Sequence, residues 1–380
     1  MELQEAGRRA LLVAIGLAAS VLTAEVGTRI YAHAGSEMGR SLVRRDPLEI
    51  AIEEHGELGY RQRPNRNHEY ANGTRAHWNA MGFRGPLVAQ PKPLGSFRVI
   101  LLGGSTTHGY AVDDDQTIDT HMRSILRQRY PEKRFEVVNL ALDGYDSYQI
   151  FQRFKDDGIA LRPDLVIVNT GVNDVRNARF AHLQVPDLRT VLWADNLEQM
   201  REQTRSGGPP LRFRIGHWFY LARLPGLIRD NFLRRHELAS NATVEPNPDV
   251  VDYFETNIRH TAELVQQAGA GLILSTEPSS LATRYAATDT SPQSYWIVDA
   301  ATTQQYRDRL AERLHKLATE ETARGQRVAY LHLDLPPELF QDDCHLTPEG
   351  NRVVAEGFVD ALSPFLKGAS SERVAGSTQP

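Results

Sequence analysis

In the stretch VILLGGSTTHGYAVDDD, Val99 to Asp115, an apolar run stops at two glycines and a serine follows at once. A hydroxyl behind two residues without side chains has the open space a nucleophile needs, although a turn requiring only small residues fits the same letters. A serine hydroxyl is a weak nucleophile until a base removes its proton. The base-type residue is in DDCHLTPEGN, Asp342 to Asn351, where His345 follows Asp342 by three positions. On one tight turn that carboxylate can reach Nδ1 of the imidazole and leave Nε2 to face Ser105. Asp343 is the alternative partner for the ring. Cys344 raises a thiol nucleophile, against the simpler reading of a small, half-buried residue. His345 taken alone would fit a structural histidine.

Two more stretches carry glycine and amide groups: NLALDGYDSYQ, with Gly144, and NTGVNDV, with Gly171, Asn173 and Asp174. Asp174 reads as a brace for its loop. Gly171, Asn139 and Asp143 read as turn residues, and His108 as either a substrate contact or a solvated loop residue. The serine stretch lacks the G-K-[ST] of a phosphate-cradling loop and the G-x-S-x-G of a nucleophile elbow.

Positioning these residues falls to five short apolar runs: Phe97–Leu102, Phe135–Leu140, Leu165–Thr170, Leu272–Thr276 and Val328–Leu333. They are continuously apolar and rich in β-branched residues, the signature of parallel strands buried on both faces. Helical segments alternate with them, and the last, TPEGNRVVAEGFVDAL, opens with Thr347 as N-cap and Pro348 at the first helical position. The alternation predicts a parallel sheet with helices on both faces. Ligands of such sheets bind outside the carboxyl ends of the strands, and all four chemistry-bearing stretches fall beyond predicted strand ends.

With order, spacing and strand-end placement together, the chain from about Arg98 to Leu366 resembles the SGNH hydrolases, the GDSL-like esterases and lipases. HWNAMGFRG, His77 to Gly85, and the N-terminus are similar to a membrane-anchored bacterial branch of that family. The resemblance implies a three-layer α/β/α sandwich with a five-stranded parallel sheet, flavodoxin-like in topology. It implies a catalytic set of Ser105, Asp342 and His345, and an oxyanion hole from the N–H groups of Ser105 and Gly144 and the side-chain amide of Asn173. Gly104 stands where the family signature has aspartate, a position that does no chemistry. The implied activity is ester hydrolysis through an acyl-enzyme on Ser105, on short acyl esters of carbohydrate or cell-envelope substrates. Transfer of the acyl group to a sugar hydroxyl by the same site, and a non-catalytic envelope scaffold, are the alternatives. No metal or organic cofactor is expected.

The remaining features bound the setting. The 380 residues are 41% hydrophobic and 24% charged, with a formal net charge of −5, so the chain is globular in composition and lacks the basic patch of a nucleic-acid binder. One cysteine excludes an internal disulfide and a multi-cysteine zinc cluster. At the N-terminus, Arg8 and Arg9 precede an uncharged run from Ala10 to Ala24 that Glu25 ends. As a helix the run spans about 22 Å, short of a ~30 Å hydrocarbon core. An uncleaved signal anchor extended by Val26 and Gly27, a cleaved signal with AHA at Ala32 to Ala34, and an amphipathic or buried N-terminal helix are the three readings. The basic residues ahead of the run place the rest of the chain outside the cytoplasmic membrane, single-pass or secreted. The expected organisation is a membrane segment (1–34), an irregular extension packed on the core (35–95), a hydrolase domain (96–367) with an insertion at about 175–248, and a disordered tail (368–380). Within the insertion, Gly216 to His236 mixes aromatic, aliphatic and arginine residues. It suits a packed amphipathic helix, a substrate cap or a membrane contact. The oligomeric state is not legible.

Overall fold

Val99 lies beside Val137 on one side and Leu165 on the other, and that register generates the core. The computed structural model describes residues 2–34, 52–70, 72–178, 211–225, 228, 246–281 and 299–366. The chain divides into two compact units, Met1–Ile50 with Asp195–Glu237 and Ala51–Ala194 with Leu238–Pro380.

The second unit holds a five-stranded sheet: β1 (Ser96–Gly103), β2 (Arg134–Asn139), β3 (Leu165–Thr170), β4 (Gly271–Thr276) and β5 (Val328–Leu331). The order is β2-β1-β3-β4-β5 and every neighbouring pair is parallel. Successive side chains point to opposite faces, so each apolar run feeds two cores. Val99, Leu101, Val137, Leu165 and Ile167 enter one, Ile100, Leu102, Val138, Val166 and Val168 the other. Both faces are covered, which is why the runs show no polar alternation.

The intervening helices are α1 (Ser105–His108), α2 (Ile118–Arg129), α3 (Ser147–Arg153), α4 (Val172–Asn177), α5 (Val250–Gln267), α6 (Ala300–Ala323) and α7 (Pro348–Leu362). Met122 and Leu126 of α2 and Val354 and Phe358 of α7 pack on the first face. Ile150 of α3, Phe254 of α5 and Leu310 of α6 pack on the second. The result is the three-layer α/β/α sandwich. Thr347 caps α7 by accepting the Gly350 N–H at 3.1 Å, with Pro348 in the first turn.

The extension read as irregular contains two short antiparallel pairs, Ile52–His55 with Gly59–Gln62 and Arg66–Glu69 with Arg75–Trp78. Strands of four residues leave too short a pattern for periodicity to register. They are held by long-range bonds: the Tyr60 hydroxyl donates to Asp143 O at 2.6 Å, Gln62 Nε2 to Ala141 O at 3.2 Å, and Arg84 to His108 O and Val112 O at 3.1 and 2.7 Å.

In the first unit, the N-terminal helix runs unbroken from Glu2 to His33, through the charged Glu25. A second helix covers Leu211–Trp218 and a 3-10 turn Tyr220–Arg223. Most of the 175–248 insertion, including residues 179–210 and 229–236, and the tail 368–380 lie outside the described residues.

Candidate active site

β1 delivers Ser105 through two glycines that have different jobs. A Cβ on Gly103 would sit 2.4 Å from Asn169 O and 2.3 Å from Thr107 Oγ1, so the ends of β1 and β3 close only on a residue without one. A Cβ on Gly104 would sit 2.5 Å from Asn173 Nδ2. The glycine that replaces the family aspartate therefore makes room for the Asn173 amide.

Ser105 Oγ lies 2.8 Å from His345 Nε2, and His345 Nδ1 lies 2.7 Å from Asp342 Oδ2. The other carboxylate oxygen, Oδ1, accepts the N–H groups of Cys344 at 3.0 Å and His345 at 2.8 Å. One local turn thus supplies both the ring's partner and that partner's orientation. Burial by itself would raise the Asp342 carboxyl, but the His345 side chain and the two N–H groups outweigh it and hold it below the ordinary range. Such a chain can pass the hydroxyl proton to the ring as Oγ attacks. Asp342, rather than Asp343, bonds the imidazole.

The three residues expected to supply oxyanion donors, Ser105, Gly144 and Asn173, each follow the carboxyl end of a strand, β1, β2 and β3. Gly144 has φ +83°, a conformation that favours glycine. Asn173 follows Gly171 (φ +132°) in the first turn of α4 and spends one amide hydrogen on Tyr145 O at 2.9 Å. The N–H groups of Ser105 and Gly144 have no backbone acceptor among the described residues. Asp174, read as a brace for its own loop, ties that loop to the start of α3: its carboxylate accepts the Ser147 N–H at 3.1 Å and the Ser147 hydroxyl at 2.5 Å. Burial, with the charge of Asp146, pushes its carboxyl well up.

Several readings change. His108 is neither a substrate contact nor solvated; it is fully buried. Trp78 Nε1–H donates to its Nε2 at 3.2 Å, so the proton on Nδ1 is shared with Asp143 Oδ1 at 2.7 Å. Asp143 is accordingly a half-buried partner of a buried ring rather than a bare turn residue. Burial opposes its charge, the His108 contact outweighs burial, and the carboxyl sits low. Asn139 ends β2 in the interior, donating to Thr107 O at 3.0 Å and to Asp119 Oδ1 at 2.9 Å. Cys344 is fully buried rather than half-buried, and burial together with the charge of Asp342 pushes its thiol well up, which disfavours a thiolate.

Two residues beside the site were missed in the sequence. The Tyr110 ring stacks on His345, centroids 4.2 Å apart. Glu277, buried just after β4, accepts the Val172 N–H at 3.2 Å, and burial raises its carboxyl. A charged residue directly after a buried strand was the available signal for Glu277; Tyr110 had none.

Asp342, Cys344 and His345 place metal-ligand atoms within 4.8 Å of one another. Both imidazole nitrogens are already engaged by Asp342 and Ser105, and the thiol resists ionisation, so the donor set does not fit a metal.

Residues 101–353 match the model of the GDSL-like Lipase/Acylhydrolase family. A GDSL-like lipase from Bacteroides thetaiotaomicron is 17% identical, with a TM-score of 0.37, covering 70% of this chain and 88% of that one. A catalytic mutant of an acetylxylan esterase from Geobacillus stearothermophilus is 17% identical, with a TM-score of 0.40, covering 71% and 96%. No curated protein matches the sequence.

Proposed function

The chain belongs to the GDSL-like lipase and acylhydrolase family and is an ester-bond hydrolase, and from that premise we propose a serine esterase working through an acyl-enzyme on Ser105. The single observation that carries the mechanism is the continuous contact from Ser105 Oγ through His345 to Asp342, at 2.8 and 2.7 Å.

Ser105 Oγ attacks the ester carbonyl carbon while its proton passes to His345 Nε2. The carbonyl oxygen becomes an oxyanion facing the N–H groups of Ser105 and Gly144 and the free amide hydrogen of Asn173. Donors already fixed at that position stabilise the charge without reorganising. Collapse breaks the bond to the alcohol, which leaves with the proton from His345. Water then attacks the acyl-enzyme, gives its proton to the same nitrogen, and the second collapse releases the acid and restores Ser105. Asp342 stays ionised and holds the ring, steadying the imidazolium that forms in each half.

The substrate class we propose is a short acyl ester of a carbohydrate or cell-envelope glycan. The N-terminal helix crosses the cytoplasmic membrane in this reading, with Arg8 and Arg9 inside and the catalytic unit outside. Support for the helix is its length and hydropathy, and the exposure of nearly all of its apolar side chains. A screen over acetylated sugars, with Ser105→Ala as blank, tests the activity. Acetate release by the parent chain and none by the variant is expected, and equal turnover by both overturns the assignment. Acetylated acceptor appearing in place of free acetate, when a glycan is added, would identify transfer instead.

A further inference from the structure

Glu25 ends the uncharged run of the N-terminal helix, yet only 4% of it is exposed. Its Oε1 accepts the Tyr220 N–H at 2.9 Å, and its Oε2 the Leu221 N–H at 2.8 Å. Arg29, one turn on, donates to Oε1 at 2.7 Å, bonds Trp218 O, and lies over the Tyr220 ring at 4.7 Å. Ala32 packs against Tyr220 and Leu224. Glu25, Thr28 and Ala32 are all buried and share one helix face by their spacing. That face is covered by the 218–224 segment.

The uncovered faces behave differently. Leu11, Leu12, Leu17, Val21, Leu22, Val26 and Ile30 are each between 48% and 67% exposed. From Leu11 to Ile30 the rise is roughly 28 Å, close to the ~30 Å hydrocarbon core. A bare carboxylate in hydrocarbon is costly; here two N–H groups and a guanidinium satisfy it and a peptide segment hides it. The run that is too short as sequence is long enough as a surface. The covering segment also exposes Ile215, Trp218 and Phe219, at 44%, 68% and 48%, beside the end of that surface. Trp in this setting is the residue type enriched at membrane–water boundaries.

We infer that Leu211–Leu224 is a membrane-interface element. It shields Glu25 from acyl chains, so that the helix presents a full-length lipid-facing surface, and it seats Trp218 and Phe219 at the boundary of phospholipid headgroups and acyl chains. The occupant of the exposed patch is the phospholipid bilayer. The inference rests on the membrane-spanning reading of the N-terminal helix given above.

The test uses the full chain in phosphatidylcholine–phosphatidylglycerol vesicles. Trp218→Cys, Phe219→Cys and, as an aqueous reference, Leu94→Cys (99% exposed) are made in a Cys344→Ala background and labelled with an environment-sensitive nitrobenzoxadiazole probe. At 218 and 219 the expected result is blue-shifted emission, quenching by shallow nitroxide lipids, and an iodide quenching constant several-fold below that at 94. Iodide quenching equal to position 94, in protein that resists alkaline carbonate extraction, overturns this inference alone. Release by carbonate overturns the membrane span and this inference with it.

Discussion

The ring of Tyr110 lies face to face with the imidazole of His345, centroids 4.2 Å apart and planes 29° from parallel. A ring face attracts a cation held over it, an effect of about 0.5–2 kcal/mol. In the mechanism proposed above, His345 becomes a cation in both transition states. Tyr110→Leu is therefore expected to lower kcat by about 2- to 30-fold with little change in KM, a range set by that attraction. Tyr110→Phe, which keeps the face, restores kcat. Steady-state kinetics on p-nitrophenyl acetate reads both, and a Phe variant as slow as the Leu variant would sink the idea.

Asp342 supplies the pH dependence. Its carboxyl sits low in the folded protein relative to the ordinary value of 3.8. The contribution to stability is thus fully present above that value and disappears as pH falls through the lowered folded value. In urea unfolding, the stability gap between the parent chain and Asp342→Asn should be constant near neutrality and shrink below about pH 4. A gap that widens on acidification contradicts the assignment. At neutral pH the same variant should lose kcat on the order of 10³- to 10⁴-fold.

Asn173→Ala removes one oxyanion donor and should cost about 10²- to 10³-fold in kcat. Gly104→Ala is expected to act through the same group, because the new methyl falls 2.5 Å from Asn173 Nδ2. The double variant should then be no slower than Asn173→Ala alone, since one donor is lost only once. Multiplicative losses would show that Gly104 acts by another route.

The contact between buried His108 and half-buried Asp143 links the end of α1 to the residue before Gly144. His108→Ala leaves a half-buried carboxylate and the buried Trp78 N–H without their partner, which should destabilise the fold by about 1–3 kcal/mol. Denaturant midpoints measure this directly. A loss under about 1 kcal/mol would place the pair among weak contacts.

Much of the molecule was legible before folding because the information was local. Strands buried on both faces must be apolar throughout, so Leu165–Thr170 appears in the sequence with the bounds it has in the sheet. Asp342 and His345 meet because they lie three positions apart on one turn. Gly144 needs no side chain because its own backbone has φ +83°.

What the tertiary structure alone decided is who covers whom. Ser105 and His345 stand 240 positions apart and are joined only when β1 and the turn before α7 reach the same end of the sheet. His108 looked like a surface residue until Trp78 closed over it. Glu25 looked like the end of a short apolar run until Tyr220 and Leu221 took up its charge. Residue type and spacing name the chemistry a chain can do, whereas burial and partnership belong to pairs of segments and exist only once those segments have met.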